Sequence, residues 1–198
     1  MSILHELESK DPLQLFDSWM NEAQESEPND PNAAALATST RDGRPSVRMV
    51  LAKHIGEHRF SFFTNIGSRK GRELTENPRA ALCFHWKTLR RQVRVEGDVL
   101  ELHAADVDAY FHSRSRASQI SAAISDQSRT LPSREDLEER FRIFAEANPG
   151  RVPRPHFWRG FYISEQQIEF WLDGADRLHD RFLFTRTGNG WTKYRLYP

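Results

Sequence analysis

The sequence predicts an α+β protein, mainly β, built as a closed or partly closed antiparallel barrel with peripheral helices. Three observations predict it. Short runs of strand-forming residues dominate 33–102 and 157–196, a polar, helix-forming stretch lies between them, and turn residues rather than helices separate the last strand-like runs. The last point weighs most, because turns join antiparallel neighbours whereas parallel ones need a crossover. The 198 residues fit a single domain over 1–198, with an N-terminal helical segment at 1–32 and a helical excursion at 104–147. That length is enough to bury a real core.

Asp11 as N-cap with Pro12 at the first helical position opens a helix whose apolar stripe is Leu15, Phe16, Trp19, Met20 and Ala23. The polar stretch 26–32 ends it. Strand-like runs follow at 33–40, 46–54 and 59–65, the first two separated by a turn at Asp42 and Gly43. Gly67 and Ser68 lead into a short helix, and strands come next at 79–86 and 92–102, the latter alternating through Val93 and Val95. The middle is helical. One helix covers 104–112, 118–125 is part of another, and a capping box at Ser133 and Asp136 opens a third that carries Leu137, Phe141 and Phe144. A proline-bounded loop at 149–155 returns the chain to strands at 157–164, 167–172, 177–185 and 191–196, with turns at 173–176 and 188–190.

Lysine and arginine number 28, as do aspartate and glutamate, so the formal net charge is zero. No global field then draws the chain to nucleic acid or to a membrane, and any anion site has to come from local clustering. The single cysteine, Cys83, lies in the apolar run 80–84 and reads as a buried thiol rather than a disulfide, metal ligand or nucleophile. The first residues, MSILHELESKDP, are too charged for a signal peptide and no stretch approaches a membrane span, so the expected location is the cytoplasm. His54, His58 and His85 lack metal-ligand spacing, and no metal is expected. No G-x-S-x-G elbow, Walker loop or G-x-G-x-x-G is present, which argues against the common hydrolase, nucleotide-hydrolase and Rossmann classes.

Four basic clusters stand out against this neutral background. On a strand over 177–185, Arg177, His179 and Arg181 fall in one row, with Leu178, Phe182 and Phe184 on the other face. Same-face neighbours lie roughly 6 to 7 Å apart, so such a row asks for water or an anion; an ordinary solvated strand face is the alternative. Arg48 and Lys53 sit in RMVLAK, an otherwise apolar strand whose charged ends need partners or must reach solvent. In 64–70, Gly67 leads into a helix whose first turn holds Arg69 and Lys70, badly placed against the helix dipole unless an anion joins them. Tyr110, Arg114 and Ser118 share one face of a continuous helix; a break near Ser113 would instead put Arg114 at a new helix N-terminus. Trp171, on the strand before the Arg177 row, either walls a flat ring or fills the core.

Taken together, RMVLAK, FFTNIGSRKGREL, RRQVRVEG, YFHSRSRASQI, Gln127 with Ser128, QIEFW, RLHDRF and the terminal RLYP resemble the pyridoxine/pyridoxamine 5'-phosphate oxidase family. These pieces run in the family's order from about residue 34 to Pro198. The resemblance implies an antiparallel Greek-key split β-barrel that forms a homodimer with FMN between the subunits. By motif position it implies FMN contacts at Arg48, Met49, Val50, Leu51, Lys53, Phe63, Thr64, Arg69, Lys70, Gln92, Gln127, Ser128, Trp171 and Arg181. It implies a substrate-phosphate cradle at Lys53, Tyr110, Arg114 and Ser118, with Arg177 and His179 over the pyridine ring as the catalytic pair. Two phosphates, one on the cofactor and one on the substrate, account for several basic clusters at zero net charge.

The activity implied is oxidation of pyridoxamine or pyridoxine 5'-phosphate to pyridoxal 5'-phosphate by hydride transfer from C4' to flavin N5, with oxygen as the final acceptor and hydrogen peroxide as product. Side chains offer no such acceptor, so the flavin carries the chemistry and the protein aligns the reactants. Two positions depart from the family pattern: Phe63 stands where tyrosine is common and Ser115 where proline is frequent. The N-terminus also lacks the basic stretch that often precedes the first helix, so no lid is expected from it. Two other readings compete, a split-barrel oxidase of a phenazine pathway and a non-catalytic carrier of FMN or pyridoxal phosphate.

Overall fold

The computed structural model describes residues 11–198. The expectations for residues 1–10 lie outside the described residues. The chain opens with helix α1 (Pro12–Ser26), capped as expected: Asp11 Oδ1 accepts from the Leu13 N–H at 2.9 Å. Leu15, Phe16, Trp19 and Ala23 are buried, with Met20 half-buried beside them. Phe16 meets Phe60 and Phe84 edge-on at 4.8 and 5.1 Å between centroids, and Trp19 meets Phe170 at 5.2 Å. Full burial of such a side chain contributes roughly 1.5 to 3 kcal/mol, so the apolar stripe, not intrinsic propensity, holds α1 on the sheet.

The strands are β1 (Ala33–Ser39), β2 (Pro45–Leu51), β3 (Lys53–Ile55), β4 (His58–Asn65), β5 (Arg79–Trp86), β6 (Arg91–Glu101), β7 (Trp158–Leu172), β8 (Asp180–Thr187) and β9 (Gly190–Leu196). Helix α2 (Arg69–Glu76) follows β4, while α3 (Ala104–Ser113), α4 (Arg116–Ile124) and α5 (Arg134–Ala147) fill the excursion between β6 and β7. All pairings are antiparallel, in the order β2-β1-β5-β6-β7-β4-β3, with β8 on β7 and β9 on β8. Only Ala52 joins β2 to β3, yet these lie at opposite ends of that order, so the sheet has to curl into a barrel. Asn32 pins the corner: its carbonyl accepts from the Ala52 N–H and its Nδ2 donates to the Ala52 carbonyl, both at 2.9 Å.

Four expected strands are corrected. The run 46–54 is broken at Ala52, where the barrel turns its corner. The runs 157–164 and 167–172 are one strand, β7, whose pairing with β6 steps from Glu96↔Gln167 to Gly97↔Glu165 and leaves Gln166 as an extra, bulged residue. A Cβ on Gly97 would lie 2.1 Å from the Ser164 carbonyl oxygen, so the bulge demands glycine opposite it. The run 177–185 starts only at Asp180, because Ala175–Arg177 forms a 3-10 turn with Asp176 and Arg177 at φ of 53° and 64°.

Along one side residues 161–172 of β7 pair with β6; along the other, residues 158–162 pair with β4 and residues 167–172 with β8. The barrel splits there. Its interior holds Leu36, Phe60, Phe62, Leu82, Phe84, Val93, Val95, Ile168 and Phe170. A second apolar cluster, centred on Val107, Phe111, Ile120 and Trp158, lies beneath α3 and α4. Helix α5 has no fully buried residue: Phe141 and Phe144 only lean on that cluster. Cys83 is half-buried rather than buried, and its thiol pKa is raised chiefly by burial.

Candidate cofactor and substrate site

The predicted residues gather in two groups. The first surrounds a cavity of about 410 Å³ walled by Met49, Val50 and Leu51 of β2, Phe63 and Thr64 of β4, Lys70, Tyr110, Arg114 and Gln127. Local sequence places each. Ser68 caps α2 by accepting from the Gly71 N–H at 3.2 Å, which sets Arg69 and Lys70 in the first turn. Gly71 is obligatory, since a Cβ there would lie 2.3 Å from the Ile66 carbonyl oxygen. Lys70 Nζ donates to Gln127 Oε1 at 2.9 Å and Thr64 Oγ1 at 3.2 Å. Burial pulls its pKa down, and the nearby Arg48 charge adds to the shift. Ser128 follows Gln127 at a φ of 70°, exposed.

Arg48 points inward from β2. Its Nη1 donates to the Leu36 carbonyl at 3.1 Å and to Thr38 Oγ1 at 2.6 Å, and its Nη2 lies 3.4 Å from Glu73 Oε2. Arg69 Nε donates to Glu73 Oε1 at 2.9 Å. Sequence reasoning missed Glu73, whose one signal was its place four residues after Arg69 on a helix.

The open question at Ser113 is settled by a break. Helix α3 ends at Ser113, and Ser115 caps α4 by accepting from the Ser118 N–H at 3.2 Å, so Arg114 sits in the corner. Its guanidinium lies 5.3 Å over the Trp158 ring, and Nη1 is buried with no hydrogen-bond partner among the described residues. Burial lowers its pKa, against a smaller opposing effect of Tyr110. Phe63 stacks on Tyr110 at 4.1 Å and on Trp158 at 5.0 Å, giving the cavity an aromatic floor. Trp158 was also missed; as a strand's first residue it looks like ordinary core.

Two residues of the predicted substrate-phosphate cradle lie apart from this cavity. Ser118 is half-buried and exchanges a 2.8 Å hydrogen bond with Ser115, one turn before Ser121 and Ala122, which do line the cavity. Lys53 lines a different cavity, of about 470 Å³, with Asp17 and Arg59 beside α1.

The second group forms at the other end of β7. Gln92, Trp171 and Arg181 are direct cross-strand neighbours on β6, β7 and β8. Arg181 Nε donates to Glu169 Oε1 at 2.8 Å and Nη1 to the Tyr197 carbonyl at 2.9 Å. The His179 ring lies 4.7 Å from Trp171, and its Nδ1 lies 3.2 Å from both the Gly174 backbone nitrogen and Asp173 Oδ1. Arg177 and His179 border an open cavity of about 810 Å³ with Trp171 and Asp173. The expected row of Arg177, His179 and Arg181 on one strand face is corrected: Arg177 is on the turn, and Leu178 is 72% exposed rather than packed behind. The cause is a left-handed pair, Asp176 and Arg177, closed by Gly174, where a Cβ would lie 2.1 Å from the Leu178 carbonyl oxygen.

Residues 20–142 match the family profile described as pyridoxamine 5'-phosphate oxidase. The chain belongs to the pyridoxamine 5'-phosphate oxidase family. Residues 158–198, β7 to the C-terminus, match the profile described as the pyridoxine 5'-phosphate oxidase C-terminal dimerisation region. Curated members of the oxidase family include a Gluconobacter oxydans protein 56% identical over 189 residues, covering 95% of this chain and 94% of the relative. A Sphingopyxis alaskensis oxidase is 58% identical over 191 residues, covering 96% and 88%. Among solved structures, PhzG from Burkholderia lata 383, in complex with tetrahydrophenazine-1-carboxylic acid, superposes with a TM-score of 0.91 at 32% identity over 98% of this chain and 96% of its own. A Nostoc punctiforme protein described as pyridoxamine 5'-phosphate oxidase-related and FMN binding shares the fold, with a TM-score of 0.78 at 17% identity over 96% and 100% of the two chains. The oxidase family is thus matched over about 95% of the chain, and the split-barrel architecture with it. Among the described residues no helix is long and apolar enough to cross a membrane.

Proposed function

We propose that this protein is a homodimeric, FMN-dependent oxidase that converts pyridoxamine 5'-phosphate or pyridoxine 5'-phosphate to pyridoxal 5'-phosphate. The observation that carries the reading is Arg114 Nη1, buried with no acceptor among the described residues in a cavity that also holds Lys70. A donor left unpaired in an enclosed site asks for an anion. The residues present fit the cofactor as well. Arg48, Arg69 and Lys70 lie around one helix N-terminus for its phosphate, and Met49 to Leu51 with Thr64 and Gln127 offer an apolar wall edged by polar groups for a flat ring.

Bound FMN supplies the two-electron acceptor that no side chain provides. The chain's own residues bind and orient. Tyr110 and Arg114, with Ser118 one turn from the cavity lining, take the substrate phosphate, whereas Lys53 lies in a separate cavity and is left out of this cradle. Arg177 covers the pyridine ring and favours its reactive ionic form, and His179, beside Trp171, positions the substrate and assists proton movement. Overall, C4' loses a hydride and oxygen is reduced to hydrogen peroxide; the alcohol gives the aldehyde directly, and the amine gives an imine that water hydrolyses to aldehyde and ammonia.

Dimerisation completes the site in this reading. The first group surrounds Trp158 and the second Trp171, the two ends of β7, separated by about 40 Å of strand at ~3.3 Å per residue. One cofactor cannot touch both ends of the same strand, so Gln92, Trp171, Arg177, His179 and Arg181 serve the cavity of the partner subunit. The outward row Val47, Met49 and Leu51, at 68, 64 and 47% exposure beside the cavity, is apolar surface that a partner would cover.

Anaerobic mixing of the FMN-loaded protein with either substrate tests the function. Bleaching of the flavin absorbance that returns on admitting oxygen is expected; persistent colour with both substrates, despite demonstrated binding, would make the protein a carrier. The phenazine alternative draws on the PhzG likeness, but the identity to that structure is 32% against 56% to the Gluconobacter oxidase.

A further inference from the structure

We propose that Glu73 is a positioning residue of the cofactor-phosphate site, holding Arg48 and Arg69 side by side so that both guanidinium groups grip one anion. The inference rests on the reading of that corner as the flavin-phosphate site. Glu73 lies on the second turn of α2 and is 4% exposed. Buried carboxylates are rare unless fully paired, and this one uses both oxygens. Oε1 accepts from Arg69 Nε at 2.9 Å, and Oε2 accepts from Thr38 Oγ1 and Ser46 Oγ, each at 2.5 Å, with Arg48 Nη2 at 3.4 Å. Thr38 and Ser46 in turn each accept from Arg48, so the guanidinium is fixed through two hydroxyls as well as directly. Burial pushes the carboxyl upward, but hydrogen bonds from Ser46, Thr38 and Arg69 and the Arg48 charge outweigh it and hold the pKa at about 2. The group is therefore ionised throughout the working pH range.

A buried negative charge beside an anion site repels the anion, so Coulomb forces alone make Glu73 a poor choice. Nor does a buried ion pair generally stabilise a fold more than apolar residues of similar volume. What the carboxylate provides is direction. It screens Arg48, Arg69 and Lys70 from one another and fixes two of them before any ligand arrives. Three cations against one carboxylate leave two net positive charges, matching a fully ionised phosphate monoester.

The two accounts differ in sign, which makes the test decisive. Full-length protein stripped of flavin is titrated with FMN and with riboflavin, which lacks the phosphate, following the quenching of flavin fluorescence. Glu73→Gln keeps the shape and removes the charge. The expected result is a loss of about tenfold or more in FMN affinity, with riboflavin affinity unchanged within the error. FMN binding that is unchanged or tighter overturns the proposal, and so does an equal loss for both flavins, which marks damage to the fold. If Glu73→Gln does not fold, Ser46→Ala carries the same test, with about threefold weaker FMN binding expected and the same two overturning outcomes. A wild-type protein that shows no preference for FMN over riboflavin refutes the phosphate-site reading itself, independently of Glu73.

Discussion

Replacing Arg114 with methionine should leave the ligand-free protein about as stable as before while removing its response to a phosphorylated pyridine. Two terms oppose each other. The buried, unpartnered Nη1 carries a desolvation penalty of about 1 to 3 kcal/mol that methionine relieves. The guanidinium lies 5.3 Å over Trp158, a contact contributing roughly 0.5 to 2 kcal/mol that methionine loses. Methionine refills most of the volume, and its flexible thioether suits an irregular gap against aromatic rings. The net change should stay within about 1 kcal/mol, which for a chain of 198 residues is a shift of roughly 2 to 4 °C in Tm. Thermal unfolding followed by circular dichroism, on flavin-stripped protein at one fixed concentration, measures this. Pyridoxal 5'-phosphate at a hundredfold excess over Kd should stabilise the wild type by about 2.7 kcal/mol and leave the variant unmoved. A fall in Tm well beyond that range without ligand would make Arg114 a structural residue, and equal ligand stabilisation of both proteins would remove it from the phosphate site.

Three further outcomes follow from the same geometry. Glu73 is held at about 2 against an ordinary 4.5, so between those values the unfolded chain binds a proton that the native one does not; stability on the order of 3 kcal/mol is present above pH 4.5 and is lost as pH falls toward 2. Urea unfolding at pH 5 and pH 3 should show this loss in the wild type and a flatter profile in Glu73→Gln, and identical profiles would contradict the ionised, paired carboxylate. Mixing inactive Arg114→Ala and Arg177→Ala proteins under conditions that exchange subunits should restore about a quarter of wild-type activity, because half the dimers then carry one intact site in two; no recovery despite proven exchange would place both residues in one subunit's site. Gly97→Ala forces a Cβ to 2.1 Å from a backbone oxygen and should destabilise by about 2 to 4 kcal/mol in denaturant titrations, whereas a neutral effect would show that the β7 bulge yields easily.

Legibility followed the physics of each segment. Helix α1 could be read because cap, proline and apolar stripe agree. The strand ends could not, where conformation depends on tertiary partners. Ala52 breaks its strand through two hydrogen bonds to Asn32, twenty residues away, and Gln166 is absorbed as a bulge only because Gly97 faces it. Asp176 and Arg177 adopt left-handed backbone that their residue types do not announce, which is why the basic row looked like a strand. At the site, the cations were legible because charge at zero net balance asks for a reason. Their supports were not: Glu73 looks like a solvent-facing helical acid and Trp158 like core, and only the fold turns each toward an arginine.

The two groups share a construction that reconciles the neutral chain with the anion sites proposed for it. Glu73 holds Arg48 and Arg69, and Glu169, 5% exposed, holds Arg181 and lies 3.3 Å from Arg94. Each buried acid cancels charge in the global count yet aims its arginines, so the ordering cost is met on folding rather than at binding. Sequence net charge was therefore a poor guide to these sites by construction, since the acid that balances the arginine is the part that makes it useful. Glu73 lies on α2, which follows the strand paired with the start of β7, and Glu169 lies near the end of β7, so each subunit offers two separately preorganised half-sites. In the proposed dimer the start of one β7 meets the end of its partner's, and aiming each half independently is what allows separately folded subunits to close on a common ligand.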